Sequence, residues 1–300
     1  MKPGLRWWHR LGTYCLSGAL LLAVNFSYAT ITVIDDGGNT LSLPTSAKRI
    51  ISLAPHTTEL LFAAGAGKNI IGVSSFSDFP PEASRITSVG SSTQLDIERI
   101  VSLRPDLVVA WKSGNSARQI ARLRQLGIAV FESEPQTLDQ IASSIERLAV
   151  LAGTEEAAGT AAAAFRQQLN SLRTQYQQRS SVSVFYQVWS KPLMTLNGSH
   201  LVSQVLHMCG GKNSFAQLPQ IAPTITTESV VRANPEVIFV SDESTDTIKR
   251  WQQFVNLTAV KRNNIFNINS TLMNRAGPRI LSGAKQLCEN LEQARLHRPH

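Results

Sequence analysis

The chain has 300 residues, 43% of them hydrophobic and 17% charged, and a formal net charge of +8 at pH 7. This length is sufficient for two domains of ordinary size. Basic and acidic residues are mixed along the chain, with no Lys/Arg run and no basic patch interleaved with aromatics. We therefore expect no nucleic-acid binding.

Residues 1–29 have the pattern of a secretory signal peptide. A basic start precedes the apolar segment 15–26, which leads into the small-residue site Ser27-Tyr28-Ala29. The apolar segment is too short to span a bilayer, so we expect export with cleavage after Ala29. Removal of this peptide, which has three basic and no acidic residues, lowers the net charge to +5.

Strand and helix patterns alternate through the first half of the mature chain. A hairpin is predicted at 31–35 and 40–43, where apolar runs flank a Gly-containing turn. Further strands are predicted at 49–54, 69–74, 106–111 and 129–132, and helices at 55–64, 96–104, 115–126 and 137–152. This alternation predicts a largely parallel sheet with helices on both faces.

A long helix is predicted from 154 to 179. It contains four consecutive alanines, which favour helix, and then Phe165, Leu169, Leu172 and Tyr176 at spacings that place them on one stripe. Its 26 residues would span about 39 Å. We expect this stiff helix to bridge two lobes and to allow little hinge motion.

The segments on either side of this helix resemble each other. Glu98 lies seven residues before Pro105, and Glu228 lies seven residues before Pro235; an acidic residue and an apolar run follow each proline. The second half also continues the alternation, with strands predicted at 182–188, 237–241 and 265–269, and helices at 199–208, 227–233, 248–258 and 278–296.

A repeat of this length predicts an α/β fold with two similar lobes, each a mainly parallel sheet flanked by helices, and not a solenoid of short repeats. The predicted N-terminal lobe comprises 30–153, the bridging helix 154–179 and the C-terminal lobe 180–300.

Aromatic side chains follow several predicted strands. Phe76 and Phe79 come after one strand of the first half, Trp111 ends another, and Tyr186 and Trp189 lie at the end of the first strand of the second half. Ligands of parallel sheets bind beyond the carboxyl ends of strands, so these aromatics could line a broad apolar cleft. The alternative is that each aromatic caps the core of its own lobe.

Several motifs resemble those of a known family. The stretch Ser74–Ala83 reads Ser-Ser-Phe-Ser-Asp-Phe-Pro-Pro-Glu-Ala, the stretch Pro105–Asn115 contains Trp-Lys-Ser-Gly-Asn, and Gly-Gly follows Cys209. With these motifs the chain resembles the helical-backbone solute-binding proteins, which carry cobalamin, ferric siderophores or haem to bacterial ABC transporters. The first two motifs favour the cobalamin-binding branch.

The resemblance implies a periplasmic protein that holds a corrinoid between two lobes and delivers it to the permease dimer of an ABC transporter. Phe76 matches an aromatic that faces the corrin ring, Trp111 a cleft tryptophan and Arg275 a cleft arginine. With the neighbouring loop residues, the candidate ligand-binding set is Phe76, Ser77, Asp78, Phe79, Trp111, Tyr186, Trp189 and Arg275. We expect a monomer without a cofactor.

Three positions depart from the pattern of the family. Ser92 and Ala222 stand where well-characterised cobalamin binders have tryptophans, and Thr271 stands where they have an aspartate. These departures remove or replace three contacts to the ligand, so its identity stays open at this point.

Two cysteines remain after signal cleavage, Cys209 and Cys288. An even pair in an exported protein predicts a disulfide. The same two positions match the disulfide of the family.

Glu98 and Glu228 each lie near the start of a predicted helix. A carboxylate there is stabilised by the helix dipole, by about 0.3–1 kcal/mol. In the family, one glutamate per lobe docks onto arginines of the permease. We favour docking, because the dipole does not explain why both copies keep a glutamate seven residues before a proline.

The sequence bears on four alternatives. An enzyme is disfavoured, since the sequence contains no Gly-x-Ser-x-Gly, Walker or dinucleotide motif. A zinc or manganese receptor is disfavoured, because the histidines are few and none forms a His-x-x-x-His pair. A haem receptor would need an axial ligand, for which His56 and Tyr186 are the candidates. A siderophore receptor would need several cleft arginines, and only Arg275 is suitably placed.

Overall fold

A computed structural model describes residue 1 and residues 30–241 and 245–299. The predicted signal peptide and its cleavage site after Ala29 lie outside the described residues, apart from Met1 and Thr30 at their borders. Within the described part of the chain, no helix is both long and apolar enough to cross a membrane.

The N-terminal lobe is a four-stranded parallel sheet with helices on both faces, as predicted. Its strands lie in the order β4-β3-β5-β6, and a separate antiparallel hairpin, β1-β2, precedes them. The elements are β1 Ile31–Ile34, β2 Thr40–Leu43, β3 Ile50–Ser52, α1 Pro55–Ala63, β4 Ile70–Val73, α2 Ile97–Ser102, β5 Leu107–Trp111, α3 Ala117–Gln125, β6 Val130–Ser133 and α4 Leu138–Ala152.

The long helix, α5, runs from Glu155 to Tyr176, three residues shorter at its C-terminal end than predicted. It follows Gly153, whose left-handed backbone (φ 66°) ends α4. The predicted apolar stripe is buried. This stripe packs against α1 and α4 on one side of the molecule and against two helices of the C-terminal lobe on the other.

The C-terminal lobe repeats the topology of the first. Its parallel sheet has the order β10-β7-β11-β12. The elements are β7 Val182–Gln187, β8 Trp189–Ser190, β9 Leu193–Met194, α6 Leu201–Met208, β10 Gly211–Asn213, α7 Thr227–Ala233, β11 Val237–Val240, α8 Thr245–Gln252, α9 Thr258–Lys261, β12 Ile265–Asn267, α10 Ser270–Met273 and α11 Ile280–Leu296.

A continuous core joins the two lobes. It runs from Leu60 and Phe131 of the first lobe through Phe165 and Leu169 of α5 to Leu287 of the second. Each lobe also has a smaller cluster of its own on the other face of its sheet. Burial of apolar surface along α5 therefore stabilises the arrangement of the lobes as well as each lobe.

Parts of the second lobe differ from the sequence prediction. The helix expected at 248–258 is divided into α8 and α9, because the chain turns after the buried Trp251, whose indole Nε1 donates to Gln187 Oε1 at 2.7 Å. The ribbon β8-β9, the strand β10 and the helix α10 have two to four residues each. Elements this short have no readable periodicity.

The predicted disulfide between Cys209 and Cys288 is present and fully buried. It joins the end of α6 to the middle of α11 across a sequence separation of 79 residues. The two helices belong to the same lobe, so the bond stabilises the C-terminal lobe and leaves the cleft between the lobes unlinked.

Candidate ligand cleft

A cavity of about 250 Å³ lies between the two lobes. Segments that follow β3, β5 and β6 line it from the N-terminal lobe, and the start of α6 and the loop after α10 line it from the C-terminal lobe. The residues of its wall are Pro55, His56, Ser92, Trp111, Glu134, Pro135, Gln136, Ser199, His200, Leu201, Ile221, Met273, Asn274, Arg275 and Ala276. The carboxyl ends of the strands therefore position the site, as the fold class predicts.

Two larger grooves, of about 680 and 640 Å³, lie beside α6 and the end of α5. Among the described residues, no Phe, Tyr or Trp lines either groove. We place the site in the smaller cavity between the lobes, because aromatic and polar side chains from both lobes converge there.

Trp111 lines this cavity and is held by its own loop. The Asn115 side chain accepts from the Trp111 amide at 2.6 Å and donates to the carbonyls of Leu53 (3.1 Å) and Ser92 (2.6 Å). The indole covers Gly114, where a Cβ would lie 1.9 Å from the ring. The Trp-x-x-Gly-Asn motif therefore fixes the tryptophan in place.

Two histidines, one from each lobe, lie in the cavity wall. His56 lies in the first turn of α1, with its ring 5.5 Å from that of Trp111 in an edge-to-face arrangement. His200 is the N-cap of α6, where its Nδ1 accepts from the Val202 amide at 3.1 Å. The two histidines thus lie at the starts of corresponding helices, since α1 and α6 are the first helices after the first strand of each lobe's sheet.

Burial keeps both histidines neutral. It lowers the pKa of His56 to about 4, with the charge of Arg275 adding to the effect, and it lowers the pKa of His200 to about 4. Among the described residues, the buried Nε2 of His56 has no hydrogen-bond partner. A neutral imidazole with an unsatisfied nitrogen beside a cavity can serve a ligand as a hydrogen-bonding group or as a metal ligand.

The loop that contains Phe76, Ser77, Asp78 and Phe79 lies outside the wall of this cavity. Phe76 has a left-handed backbone (φ 65°) and its residue is 79% exposed. Ser77 is buried and accepts a hydrogen bond at 3.0 Å from Thr58, within a cluster of hydroxyl groups. The structure thus gives Ser77 a packing role and leaves the two phenylalanines accessible.

Arg275 lines the cavity and ties this loop to the C-terminal lobe. Its Nη1 donates to Asp78 Oδ1 at 2.7 Å and to Glu59 Oε1 at 3.2 Å, and its Nη2 donates to the Phe76 carbonyl at 3.2 Å. The hydrogen bond from Arg275 lowers the pKa of Asp78. Burial alone would lower the pKa of Arg275, but the two carboxylates raise it.

Arg279 completes an ion-pair network between the lobes. It donates to both oxygens of Glu59, at 3.0 and 2.6 Å, and its guanidinium lies 4.0 Å from the centre of the Phe79 ring. Glu59 is buried and holds both arginines. The positive charge of Arg275 is therefore balanced by side chains of the protein itself.

Tyr186 and Trp189 were both predicted to line the cleft, and the structure places them differently. Tyr186 is fully buried, and its hydroxyl donates to Asn274 Oδ1 at 3.0 Å. Burial also raises its pKa. Tyr186 therefore contacts the wall residue Asn274 and does not itself line the cavity. Trp189 is 59% exposed on the ribbon β8-β9, outside the cavity wall.

The three departures from the family pattern also have separate positions. Ser92 lines the cavity. Ala222 is exposed outside its wall, and the neighbouring Ile221 supplies an apolar side chain to it. Asn269 Oδ1 accepts hydrogen bonds from the Thr271 amide at 2.9 Å and from the Thr271 hydroxyl at 2.7 Å. Asn269 thereby caps the start of α10.

Glu98 and Glu228 are exposed in the first turns of α2 and α7. The caps of these helices come from other residues: Asp96 accepts from the Arg99 amide, and Thr226 accepts from the Ser229 amide. The pKa of Glu228 is lowered by a hydrogen bond from its own amide and by Thr226.

The sequence interpretation missed several wall residues. Glu134 to Gln136 directly follow β6, so the rule that selected Trp111 would also have selected them. His200 and Ile221 follow no long strand, and no local signal marks them. Glu59, which is outside the wall but pairs with Arg275, lies within a helix and is not marked by a local signal either. Among the described residues, no group of three or more His, Cys, Asp or Glu side chains could hold a metal ion.

A family model for periplasmic binding proteins matches residues 50–272. The chain belongs to the periplasmic binding protein family. This periplasmic binding protein is 38% identical over 275 residues to the vitamin B12-binding protein of Vibrio cholerae, across 91% of its own length and 97% of the relative's.

Solved structures agree with this assignment. The crystal structure of periplasmic vitamin B12 binding protein BtuF of V. cholerae matches with a TM-score of 0.78 and 40% identity, covering 83% of this chain and 98% of that one. The haem-binding protein RhuT from Roseiflexus matches with a TM-score of 0.74 and 22% identity, over 83% and 99% of the two chains. The second match shows a shared fold alone. The predicted two-lobed α/β fold is confirmed.

Proposed function

We propose that this periplasmic binding protein captures a corrinoid of the cobalamin class between its lobes and delivers it to an ABC transporter. The observation that carries the proposal is the 38% identity to a vitamin B12-binding protein across nearly all of both chains. The likeness includes both lobes, and therefore both sides of the cleft.

The surroundings of the cleft fit a large, flat ligand fringed with amides. Its wall combines an indole and two neutral imidazoles with hydroxyl and amide groups, which suit an apolar ring system and its polar substituents. A corrinoid exceeds the 250 Å³ of the cavity, so part of it would lie outside. The exposed rings of Phe76, Phe79 and Trp189 offer contacts there.

A ferric siderophore fits less well. Anionic chelates are bound by arginines with free positive charge. Here Arg275 and Arg279 both pair with Glu59, and Arg275 also pairs with Asp78. An anionic ligand would have to displace these carboxylates.

Haem is the second candidate, and one observation favours it. His56 offers an unsatisfied, neutral imidazole nitrogen beside the cavity, the form that binds haem iron. Tyr186, the other axial candidate, is buried and hydrogen-bonded to Asn274. We propose no catalytic activity, in keeping with the relatives, which are binding proteins.

Ligand identity is tested by titrating the mature protein with cyanocobalamin, haem and a ferric siderophore, followed by calorimetry and visible absorbance. Phe76→Ala and Trp111→Ala should each weaken cobalamin binding by about 1–3 kcal/mol. The matched control is Leu126→Ala, which removes an exposed apolar side chain at the C-terminal end of α3 and should leave cobalamin affinity unchanged. Unchanged cobalamin affinity in both aromatic variants would refute the cleft assignment.

We propose further that Glu98 and Glu228 dock the protein onto the two permease subunits. Both are exposed and neither provides the cap of its helix. Alanine at both positions should leave the melting temperature and ligand affinity unchanged and reduce transport sharply. Arginine at both should reduce transport further, because like charges would then meet.

The control for this experiment is a second pair of exposed first-turn acids, Glu82 and Glu155. Alanine at both should leave transport unchanged. Normal transport by the arginine double variant of Glu98 and Glu228 would eliminate docking.

Two further expectations concern the exported protein. Amino-terminal sequencing tests cleavage after Ala29, and light scattering tests the monomeric state.

A further inference from the structure

His200 offers the cavity between the lobes a hydrogen-bond donor. Its ring lines the cavity, and its Nδ1 accepts from the Val202 amide at 3.1 Å, so Nδ1 carries no proton. Burial keeps the imidazole neutral by lowering its pKa to about 4. A neutral imidazole holds one proton, which is therefore on Nε2. Within the described part of the chain, the bond at Nδ1 is the only hydrogen bond of the ring, so Nε2–H is left for a ligand.

This tautomer restricts what His200 can bind. A histidine that ligates a metal must present a lone pair. The lone pair of His200 is at Nδ1 and already accepts the hydrogen bond that caps α6. His200 therefore donates a hydrogen bond to its ligand and does not coordinate a metal.

Glu134 offers the same cavity an acceptor. It directly follows β6 and lines the cavity wall. Its Oε2 accepts from the Ser113 amide at 2.9 Å, and among the described residues its carboxylate makes no other hydrogen bond and no ion pair. An ionised carboxylate accepts hydrogen bonds and donates none. A ligand group that meets Glu134 must therefore be a donor.

The other charged side chain of the wall is already balanced. When both histidines are neutral, Arg275 is the only cation among the wall residues. It shares the carboxylates of Asp78 and Glu59 with Arg279, which gives two positive and two negative charges. Glu134 therefore leaves the wall with a net negative charge.

The two side chains lie at one seam between the lobes. Gln204 of α6 donates from Nε2 to the Gln136 carbonyl at 2.6 Å, and its Oε1 accepts from the Leu138 amide at 3.4 Å. His200 lies one helical turn before Gln204, and Glu134 lies two residues before Gln136. The contact between α6 and the loop after β6 thus brings the donor and the acceptor to the same end of the cavity.

A primary carboxamide matches this pair. Its carbonyl oxygen can accept from an N–H group, and its NH₂ group can donate to a carboxylate. A carboxylate of the same shape has acceptors only, and its negative charge would meet that of Glu134. Like charges brought together at a binding site are strongly unfavourable.

We propose that His200 and Glu134 recognise a primary carboxamide on the rim of the bound corrinoid and reject a carboxylate at that position. The carbonyl of the amide accepts from His200 Nε2, and its NH₂ group donates to Glu134. The two residues thereby determine specificity for the amidated form of the ligand over its acids. This inference rests on the proposed binding of a corrinoid between the lobes.

The test is titration of the mature protein at neutral pH with cyanocobalamin and with its separated monocarboxylic acids, followed by calorimetry. In each acid a single amide is replaced by a carboxylate and the rest of the molecule is unchanged. The acid that alters the recognised amide should bind at least about tenfold more weakly than cyanocobalamin. The acids altered elsewhere on the rim should bind like cyanocobalamin.

Two variants test the residues. Glu134→Gln removes the negative charge and provides a donor, so it should reduce the discrimination against that acid at least about tenfold. His200→Ser keeps a side chain that caps helices well and removes Nε2–H, so it should weaken cyanocobalamin binding about tenfold. The control is Glu132→Gln, which removes a carboxylate that pairs with Arg124 outside the wall. It should change neither the affinity nor the discrimination.

The outcomes separate this inference from the proposed function. Equal binding of cyanocobalamin and every monocarboxylic acid by the wild-type protein would overturn amide recognition and leave corrinoid binding in place. Discrimination that persists in Glu134→Gln, with full affinity in His200→Ser, would overturn the assignment to these two residues. If the wild-type protein does not bind cyanocobalamin, the proposed function fails and the inference fails with it. Melting temperatures confirm that each variant is folded.

Discussion

Glu59 is the side chain whose replacement should most disturb the contact between the lobes. Its carboxylate accepts three hydrogen bonds, one from Arg275 at 3.2 Å and two from Arg279 at 3.0 and 2.6 Å. The Glu59 side chain is only 2% exposed. Glu59→Gln preserves the shape of the side chain and removes its charge, which leaves two partly buried guanidinium groups without their shared counter-ion.

Removal of one partner from a buried ion pair costs about 3–5 kcal/mol. The lower end applies here, because Arg275 keeps Asp78 and Arg279 keeps the face of Phe79. We therefore expect a loss of about 3 kcal/mol in the free energy of unfolding. For a chain of this size, that corresponds to a fall in melting temperature of about 6–12 °C.

The matched control is Glu146→Gln. Glu146 also binds an arginine with both oxygens, at 2.5 and 2.7 Å from Arg166, but these side chains are 42% and 43% exposed. Solvent screens such a pair, so its loss should cost less than about 1 kcal/mol. Urea and thermal unfolding of both variants provide the comparison. Equal destabilisation by the two substitutions would refute the argument from burial.

Three further outcomes are expected. Denatured, unreduced protein should contain no titratable thiol, and the detection of two thiols would contradict the disulfide. Cys209→Ser/Cys288→Ser should lower the free energy of unfolding by about 4 kcal/mol, while ligand binding persists. Because burial lowers the pKa of His56 to about 4 from 6.5, its stability contribution is complete above pH 6.5 and is lost as the pH falls toward 4. His56→Gln should make that part of the stability–pH curve shallower, and part of the slope should remain because burial lowers the pKa of His200 in the same way; an unchanged curve would contradict the assignment. Asn115→Ala leaves three hydrogen-bond partners unsatisfied and should lower the free energy of unfolding by about 2–4 kcal/mol. Ligand affinity should also fall, because Trp111 is no longer held in place. Unaltered affinity would show that the loop holds its conformation without Asn115.

The prediction of the fold from sequence succeeded where the pattern was long. The strands and helices of the first lobe begin and end within three residues of their predicted bounds, because each has an apolar run or stripe bounded by turn residues. The match between Glu98 and Glu228 correctly indicated two similar lobes.

The prediction of the site was less complete. Of the predicted ligand-binding residues, Trp111 and Arg275 line the cavity between the lobes. Tyr186 was assigned to the cleft because it lies near the end of a strand. That strand, β7, lies between β10 and β11 with helices on both faces, so its side chains are buried on either side. Position in a sheet of this kind cannot be read from a single strand.

By itself the sequence determined the longer strands and helices, their order along the chain and the repeat, because these patterns are carried by neighbouring residues along the chain. Only the tertiary structure decided which side chains meet. Glu59 and Arg275 are 216 residues apart, and His56 and His200 share one cavity from different lobes. Such contacts depend on how the two lobes pack along α5, since the packing of a shared core brings together residues whose local sequences carry no sign of each other.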